Sequence, residues 1–364
     1  MKTLKVDENA SSLMSDYEMS VREIYRQINA EENLRFDSDG KVEPGLDYGN
    51  TLFVIEEFVG KILSSNSPAF VEGEEKFTKK RVMVPTKLGK KYLDSFHAMV
   101  ACYGEQYEYS EHVKVFFDTC KSMSPECKEF DAAIAFRNKS LGPYYFNKMF
   151  EDIRRNCNTK KFKRKIAIRK SNFIRNFASV KKYIDALFNR YSRLLVLRVD
   201  LSYKKSYAGK VDEKIAHSHR EQFLNNMRSN SLFDNLVGYV WKLEYGRDKG
   251  HHFHFAFFFD GAKVRKDEFI ALKIGNYWVN KITDGNGSHH NCNMNKAAYE
   301  DLGIGMISHD EHEKRKSLMR TLSYLTKKDQ YLRKRALGRC RIFGKGVAPA
   351  AKVSGLGRPR RSAE

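Results

Sequence analysis

WKLEYGRDKGHHFHFAFFFDG, residues 241–261, reads as a β-hairpin. Trp241–Tyr245 and His251–Phe259 are runs of strand-favouring residues, and GRDKG between them is turn chemistry. With the turn centred on Asp248, Glu244 lies directly across from His252. Opposed residues of an antiparallel pair point to one face, as do residues two apart on one strand. Glu244, His252 and His254 therefore share a face, and Lys242 joins them. Trp241, Leu243, Tyr245, Phe253, Phe255, Phe257 and Phe259 take the other face, which is a core-facing set. Two imidazoles and a carboxylate within mutual reach make a candidate divalent-metal site with open coordination positions. A His-x-His on a strand is by itself an ordinary surface or structural feature. A register slip of one residue would also turn Glu244 away. The matched carboxylate, the segregated faces and a tyrosine further on carry the metal reading.

The 364 residues allow about two domains. A net charge of +21 points to a polyanionic partner, nucleic acid before membrane. No apolar run approaches the length of about 20 residues that spans a bilayer, and MKTLKVDENASSLMSDYE has no signal-peptide core. Cysteines 102, 120, 127, 157, 292 and 340 follow neither a metal nor a disulfide spacing. They read as thiols in a reducing cytoplasm.

Residues 1–152 are expected to be mainly helical. Ser20 to Glu23 resembles a capping box, and apolar spacing predicts helices over Leu52–Leu63, Leu88–Met99 and Tyr144–Ile153. His97 and His112 are isolated, as satisfied or solvated histidines are. A basic helical connector follows at 153–189. Its stretch from Ile153 to Ile184 holds twelve Lys or Arg and no Asp or Glu. Lys160, Lys161, Lys163, Arg164 and Lys165 are its densest part. A long single-sign run of this kind fits contact with a phosphate backbone. The interleaved Phe162, Phe173, Phe177 and Tyr183 are assigned to helix packing.

Residues 190–345 carry the chemistry. In RLLVLRVDLSY, 193–203, Leu195, Leu197, Val199 and Leu201 face one way and Arg198, Asp200 and Ser202 the other. This predicts a central strand with one face turning polar partway along. Asp200 pairs with Arg198 or a nearby Lys on this reading, with a place near the metal face as the alternative. Val211–Ser229 and Asp267–Ile282 are predicted helices. Gly275 inside the second weakens it or marks close packing. HHNCNMN and GIGMIS read as short strands, and His289, His290 and Cys292 match no standard metal spacing. The order predicts an α+β fold of ferredoxin/RRM-like type, an antiparallel sheet with helices on one face and the other face open to nucleic acid. Residues 346–364 form a flexible basic tail.

Ser308 to Glu311 resembles a second capping box, opening a helix through KSLMRTLSYLTKKDQYLRKR. Leu318, Leu322, Leu325 and Leu332 would dock it on the domain. Tyr324 lies beside that stripe, with Lys327 and Lys328 three and four residues on. A tyrosine with its unperturbed pKa of about 10 is a poor nucleophile; a nearby ammonium and a metal-polarised phosphate would activate it. Most helical tyrosines are interface residues, so the combination with the metal face carries the inference.

That combination resembles the HUH endonuclease superfamily. His252-Phe253-His254 matches its paired-histidine motif and Tyr324-Leu325-Thr326-Lys327 its Y-x-x-K motif. Glu244, eight residues before the first histidine, matches the ligand carboxylate of several viral initiators. Histidines before the tyrosine is the order of replication initiators and single-tyrosine transposases. A closer resemblance is to the YagK/YfjJ C-terminal family of gene-two-like phage replication proteins. It rests on LLVLRVDLSY, VWKLEYGRDKGHHFHFAFFFDG, the IGNYWVNKIT…GNGSHHNCN segment and LSYLTKKDQYLRKRALGRCRIFGKG. Tyr331 departs from the one-turn spacing of two-tyrosine enzymes, leaving one nucleophile.

The resemblance implies a strand-specific DNA nickase that initiates rolling-circle replication of an inovirus-like or other mobile element. Glu244, His252 and His254 would hold Mn²⁺ or Mg²⁺. Tyr324 would form a 5′-phosphotyrosine with Lys327 positioning it, and Lys242 and Lys328 would meet DNA. Its partners would be single-stranded or supercoiled origin DNA, with a host polymerase and helicase. No Walker-type loop is present. A single-tyrosine transposase-like recombinase and a non-catalytic nucleic-acid-binding module are the alternatives.

Overall fold

Arg193–Tyr203 (β4) is the strand around which the C-terminal unit assembles. Its apolar residues point to both sides, so it needs cover on both. The computed structural model describes residues 48–75, 79–123, 142–298 apart from 248, 302–326, 332–334 and 341–350. Ser20–Glu23 and the 351–364 part of the tail lie outside them. The described residues fall into two compact units, one holding those up to Lys170 together with 332–334, the other those from Ser171 to 326 together with 341–350. No helix among them is long and apolar enough to cross a membrane.

The N-terminal unit is mainly helical. Its elements are α1 (Tyr48–Leu63), α2 (Lys87–Leu93), α3 (Phe96–Ala101), α4 (Glu111–Ser122), α5 (Gly142–Cys157) and the first turns of α6 (Lys160–Arg190). Leu52, Ile55, Val59 and Ile62 recur at helical spacing and are all buried. The single helix expected over Leu88–Met99 is instead α2 and α3. Asp94 and Ser95, which favour turns over helix interiors, sit at the break. A hairpin that the sequence pattern does not predict, β1 (Phe70–Glu74) with β2 (Arg81–Pro85), is also present. Its strands are mostly exposed and carry Val71, Val82 and Met83 on the outside, so no buried–exposed alternation marks them. Tyr107–Tyr109 (β3) completes this part.

In the C-terminal unit, β4 is followed by α7 (Lys205–Ala208), α8 (Glu213–Asn226), β5 (Leu236–Gly246) and β6 (Gly250–Asp260). Next come α9 (Asp267–Tyr277), extended by a π turn at Trp278–Ile282, and β7 (Gly287–Asn291). Then follow β8 (Gly305–Ser308), α10 (His312–Thr326) and, after β9 (Leu332–Lys334), β10 (Phe343–Lys345). The six-stranded sheet runs β10-β5-β6-β4-β7, with β8 also on β4, and every pairing is antiparallel. The chain is therefore α+β, with its antiparallel sheet in the C-terminal half.

One face of the sheet carries Leu195, Leu197, Val199, Leu201, Trp241, Leu243 and the four phenylalanines 253, 255, 257 and 259. It packs on α8 and α9 through Phe223, Ala271, Ile274 and Trp278. Phe255 stacks on Phe257 with ring centroids 5.1 Å apart, and Phe223 meets Phe255 edge-on at 5.4 Å. Such pairs add about 0.5–1.5 kcal/mol each beyond burial. The indole N–H of Trp278 donates to the Ser202 carbonyl at 2.8 Å, so its burial leaves no polar cost.

The opposite face corrects the expectation of an open sheet. Leu194, Val196, Val240, Ala256 and Phe258 cover half of it. They form one core with Phe177, Val180, Tyr183, Ile184 and Leu187 of α6 and Leu318, Leu322 and Leu325 of α10. Helices thus lie on both faces, and the interleaved Phe177 and Tyr183 are core residues as expected. α10 is also shorter than predicted: it is described to Thr326, and the expected helix does not reach Leu332. Leu332, expected on its apolar stripe, instead begins β9 (Leu332–Lys334), which pairs with β3 in the N-terminal unit.

Candidate metal centre

The polar half of that second face is where the sheet residues lose their apolar cover. The β5–β6 register pairs Glu244 with His252 and Lys242 with His254, as the centred turn predicts. Gly250 closes the turn at φ +66°, in the left-handed region that favours glycine. A Cβ there would also approach the Ala208 carbonyl to 3.2 Å.

His254 Nε2 lies 3.4 Å from Glu244 Oε2, and His252 Nε2 lies 3.9 Å from the same oxygen. One donor atom from each of the three residues falls within 4.8 Å of the others. Two atoms bound to one ion at about 2.0–2.2 Å stand roughly 3–3.5 Å apart. A mixed imidazole and carboxylate donor set, already converged to nearly that spacing, fits a divalent ion. His252 and His254 are buried, at 5 % and 1 % exposure, and their rings meet edge-on.

The surroundings hold these groups in place. His252 Nδ1 lies 3.1 Å from the Gly250 carbonyl, so this nitrogen donates and Nε2 is the ligand atom. Asp200, opposite His254 on β4, has Oδ1 2.8 Å from His254 Nδ1 and 3.5 Å from Arg198 Nε. Both sequence-based expectations for Asp200 are thus met, and the nearer partner belongs to the metal face. Lys242 is buried, with its ammonium on Glu244 Oε1. It is turned into the site and not outward as a surface contact for DNA.

Burial weighs most on Asp200, Glu244 and His254 and opposes the charge of each. For Asp200 the charges of His254 and Arg198 outweigh that cost and hold its carboxyl well below the usual range. For Glu244, Lys242 and then the two histidines do the same. His254 is raised to about 9, because Asp200 and Glu244 favour its imidazolium.

The other candidate residues are placed as follows. Lys160, Lys161, Lys163, Arg164 and Lys165 are exposed on the first two turns of α6, whose first turn has no acidic residue. His289 and His290 are consecutive on β7 and face opposite ways, and Cys292 is buried in the core, so they make no second site. Tyr324 lies on α10. Its side chain, and Lys327, Lys328 and Tyr331, fall outside the described residues. Cysteines 102, 120, 157 and 292 are buried and form no disulfide. The Glu311 carboxylate accepts from the Ser308 N–H at 2.7 Å, one half of the expected capping box, and α10 starts just beyond.

The model of the YagK/YfjJ C-terminal domain matches residues 156–346, more than half of the chain. The chain belongs to this family. The matched segment takes in α6, the whole sheet and α10, and so the candidate metal centre. No curated protein and no solved structure matches the chain.

Proposed function

We propose that this member of the YagK/YfjJ C-terminal family is a metal-dependent, strand-specific DNA nickase that initiates rolling-circle replication of a phage or integrated element. The observation that carries the reading is one shared sheet face. Its polar half gathers Glu244, His252 and His254, and its apolar half packs α10, the helix that bears Tyr324. α10 follows β8, whose Ser308 pairs with Arg193 at the end of β4 remote from Asp200. The chain rejoins the sheet at Phe343, opposite Lys242. This path favours a helix that carries Tyr324 toward the metal residues.

The strand order also supports a ferredoxin/RRM-like core, the architecture of the HUH endonucleases. β4-α8-β5-β6-α9-β7 is a split β-α-β pair with β6 inserted between β5 and β4. α6 and α10 are additions to that core.

In the proposed reaction the Tyr324 oxygen attacks phosphorus and the bond to the 3′ oxygen breaks. The products are a 5′-phosphotyrosine and a 3′-OH for a host polymerase. Resealing reverses these bond changes and needs no ATP. A bound Mn²⁺ or Mg²⁺ would supply positive charge against the scissile phosphate. Glu244, His252 and His254 would hold it, while Lys242 keeps Glu244 oriented. Lys327, three residues after Tyr324, would position the tyrosine or the phosphate, with Lys328 as substitute. The exposed cations of α6 would meet the DNA backbone, which rewards charge without reading sequence.

Nicking of supercoiled DNA carrying the element's own origin tests this. Wild type should convert it to open circles with Mn²⁺ and not with EDTA, and His252→Ala with His254→Ala should not nick. Nicking that survives both EDTA and the double substitution would sink the metal reading.

A further inference from the structure

The polar half of the sheet face holds a carboxylate that the three metal ligands do not include. Asp200 sits on the neighbouring strand, directly opposite His254, with Oδ1 2.8 Å from His254 Nδ1. Arg198, two residues earlier on the same face and 4 % exposed, lies against it at 3.5 Å. On the other side of Asp200 is His290 of β7. His254 is thus clamped between two carboxylates, Nδ1 on Asp200 and Nε2 on Glu244.

We propose that Asp200 is the positioning residue of the metal centre, with Arg198 holding its carboxylate in place. Asp200 Oδ1 faces the Nδ1 side of His254 as an ion pair at 2.8 Å, where it is placed to take the Nδ1–H. That fixes the ring plane and leaves Nε2, the atom that faces Glu244 and His252, as the only ligand atom His254 can offer. A carboxylate behind an imidazole also makes the imidazole a stronger donor. The neighbouring ligands are held alike by other means. Lys242 occupies Glu244 Oε1, so Oε2 faces the histidines, and the Gly250 carbonyl occupies His252 Nδ1. Each ligand then presents one atom to a common point, and Asp200 is the anchor contributed from outside the hairpin. Asp200 lies between Arg198 and Ser202, on the stretch of β4 where the face it shares with His254 turns polar.

The inference rests on the metal reading, and the test separates the two. Mn²⁺ binding is followed by electron paramagnetic resonance of the free ion, in wild type, Asp200→Ala, Asp200→Asn and His254→Ala. Thermal melts of each full-length protein, metal-free, report folding. In parallel, ¹⁵N–¹H spectra of metal-free protein follow the His254 Nδ1–H, which a hydrogen bond protects from exchange. Loss of an outer-shell partner costs about 10–100-fold in metal affinity. Asp200→Ala should weaken Mn²⁺ binding by that factor and lose the protected Nδ1–H. Asp200→Asn, whose carbonyl can still accept, should keep the proton signal and lose less affinity. His254→Ala should bind no Mn²⁺ tightly. If Asp200→Ala binds Mn²⁺ within twofold of wild type while His254→Ala does not, the positioning role is overturned and the metal site stands. If wild type binds no Mn²⁺ but shows an Nδ1–H signal that Asp200→Ala loses, the metal reading fails and the Asp200–His254 contact stands. Should Asp200→Ala melt far below wild type, Asp200→Asn and the proton signal decide, and an unprotected Nδ1–H in wild type overturns the contact itself.

Discussion

Glu244 stands directly opposite His252 across the β5–β6 hairpin, and its Oε2 is the oxygen that both histidine Nε2 atoms approach. That single register places a carboxylate and two imidazoles on one face while four phenylalanines fill the other. Removing the ligands should therefore abolish binding without emptying the core. His252→Ala with His254→Ala is expected to lower Mn²⁺ affinity by more than the roughly 100-fold upper range of an outer-shell loss. Calorimetric titration checks this, and unchanged binding would place the metal elsewhere.

The raised His254 sets a pH dependence with opposite signs in the two states. A group raised from 6.5 to about 9 stabilises the metal-free fold fully below its ordinary value, and that contribution is lost as pH climbs toward 9. Asp200 and Glu244, held low, contribute above the ordinary carboxylate range and lose their contribution only in acid. Metal binding must displace the His254 proton, so affinity should gain up to about tenfold per pH unit below 9. Melting with EDTA and with Mn²⁺ across pH 6.5–9 should show a metal-induced rise in Tm that widens with pH. A constant or shrinking difference would contradict it.

A separate prediction concerns the exposed cations at the start of α6. Lys160, Lys161, Lys163, Arg164 and Lys165 sit at a helix N-terminus, where positive charge is unfavourable by about 0.3–1 kcal/mol. Replacing all five with Gln should leave Tm unchanged or higher. If they meet phosphates, the slope of log K against log salt for single-stranded DNA should shrink by about 0.7 for each phosphate no longer neutralised, about 3.5 in all. An unaltered slope would leave them a solvated face.

Gly275 lies where α9 passes β7. A Cβ there would stand 2.3 Å from the His289 ring, so this glycine marks close packing. Gly275→Ala should cost about 1–3 kcal/mol by overpacking, read as a lower denaturant midpoint. A neutral outcome would mean that His289 swings aside freely.

What the sequence shows of the fold follows the physics of each signal. The β5–β6 hairpin is readable because strand period, turn residues and face segregation agree at one register. α1 and α5 are readable from their 3.6-residue apolar spacing. The hairpin β1–β2 is not, because its strands are exposed with apolar residues such as Val82 and Met83 on the outside, and no alternation is left to read. The second-face cover by α6 and α10 is hidden for another reason. Val240, Ala256 and Phe258 lie on the same face as the histidines, and only the pairing of distant segments shows that they need a helix above them. Asp200 is visible as a polar interruption of β4, but whether it answers Arg198 or His254 depends on a cross-strand register between segments far apart in the chain. The end of α10 is misleading because LTKKDQYLRKR continues a helical apolar spacing, while Leu332–Lys334 is held as a strand by its partner β3.

Covalent chemistry at Tyr324 is what separates a nickase from a DNA-binding module, and a denaturing gel for protein–DNA adducts measures it. Labelled single strands tiling the element's origin are incubated with wild type, Tyr324→Phe and Tyr331→Phe, with Mn²⁺ or with EDTA. An adduct is expected for wild type and Tyr331→Phe with Mn²⁺, and none for Tyr324→Phe or with EDTA. An adduct that persists in Tyr324→Phe would mean that another residue is the nucleophile, and DNA binding without any adduct would leave a binding module in place of a nickase.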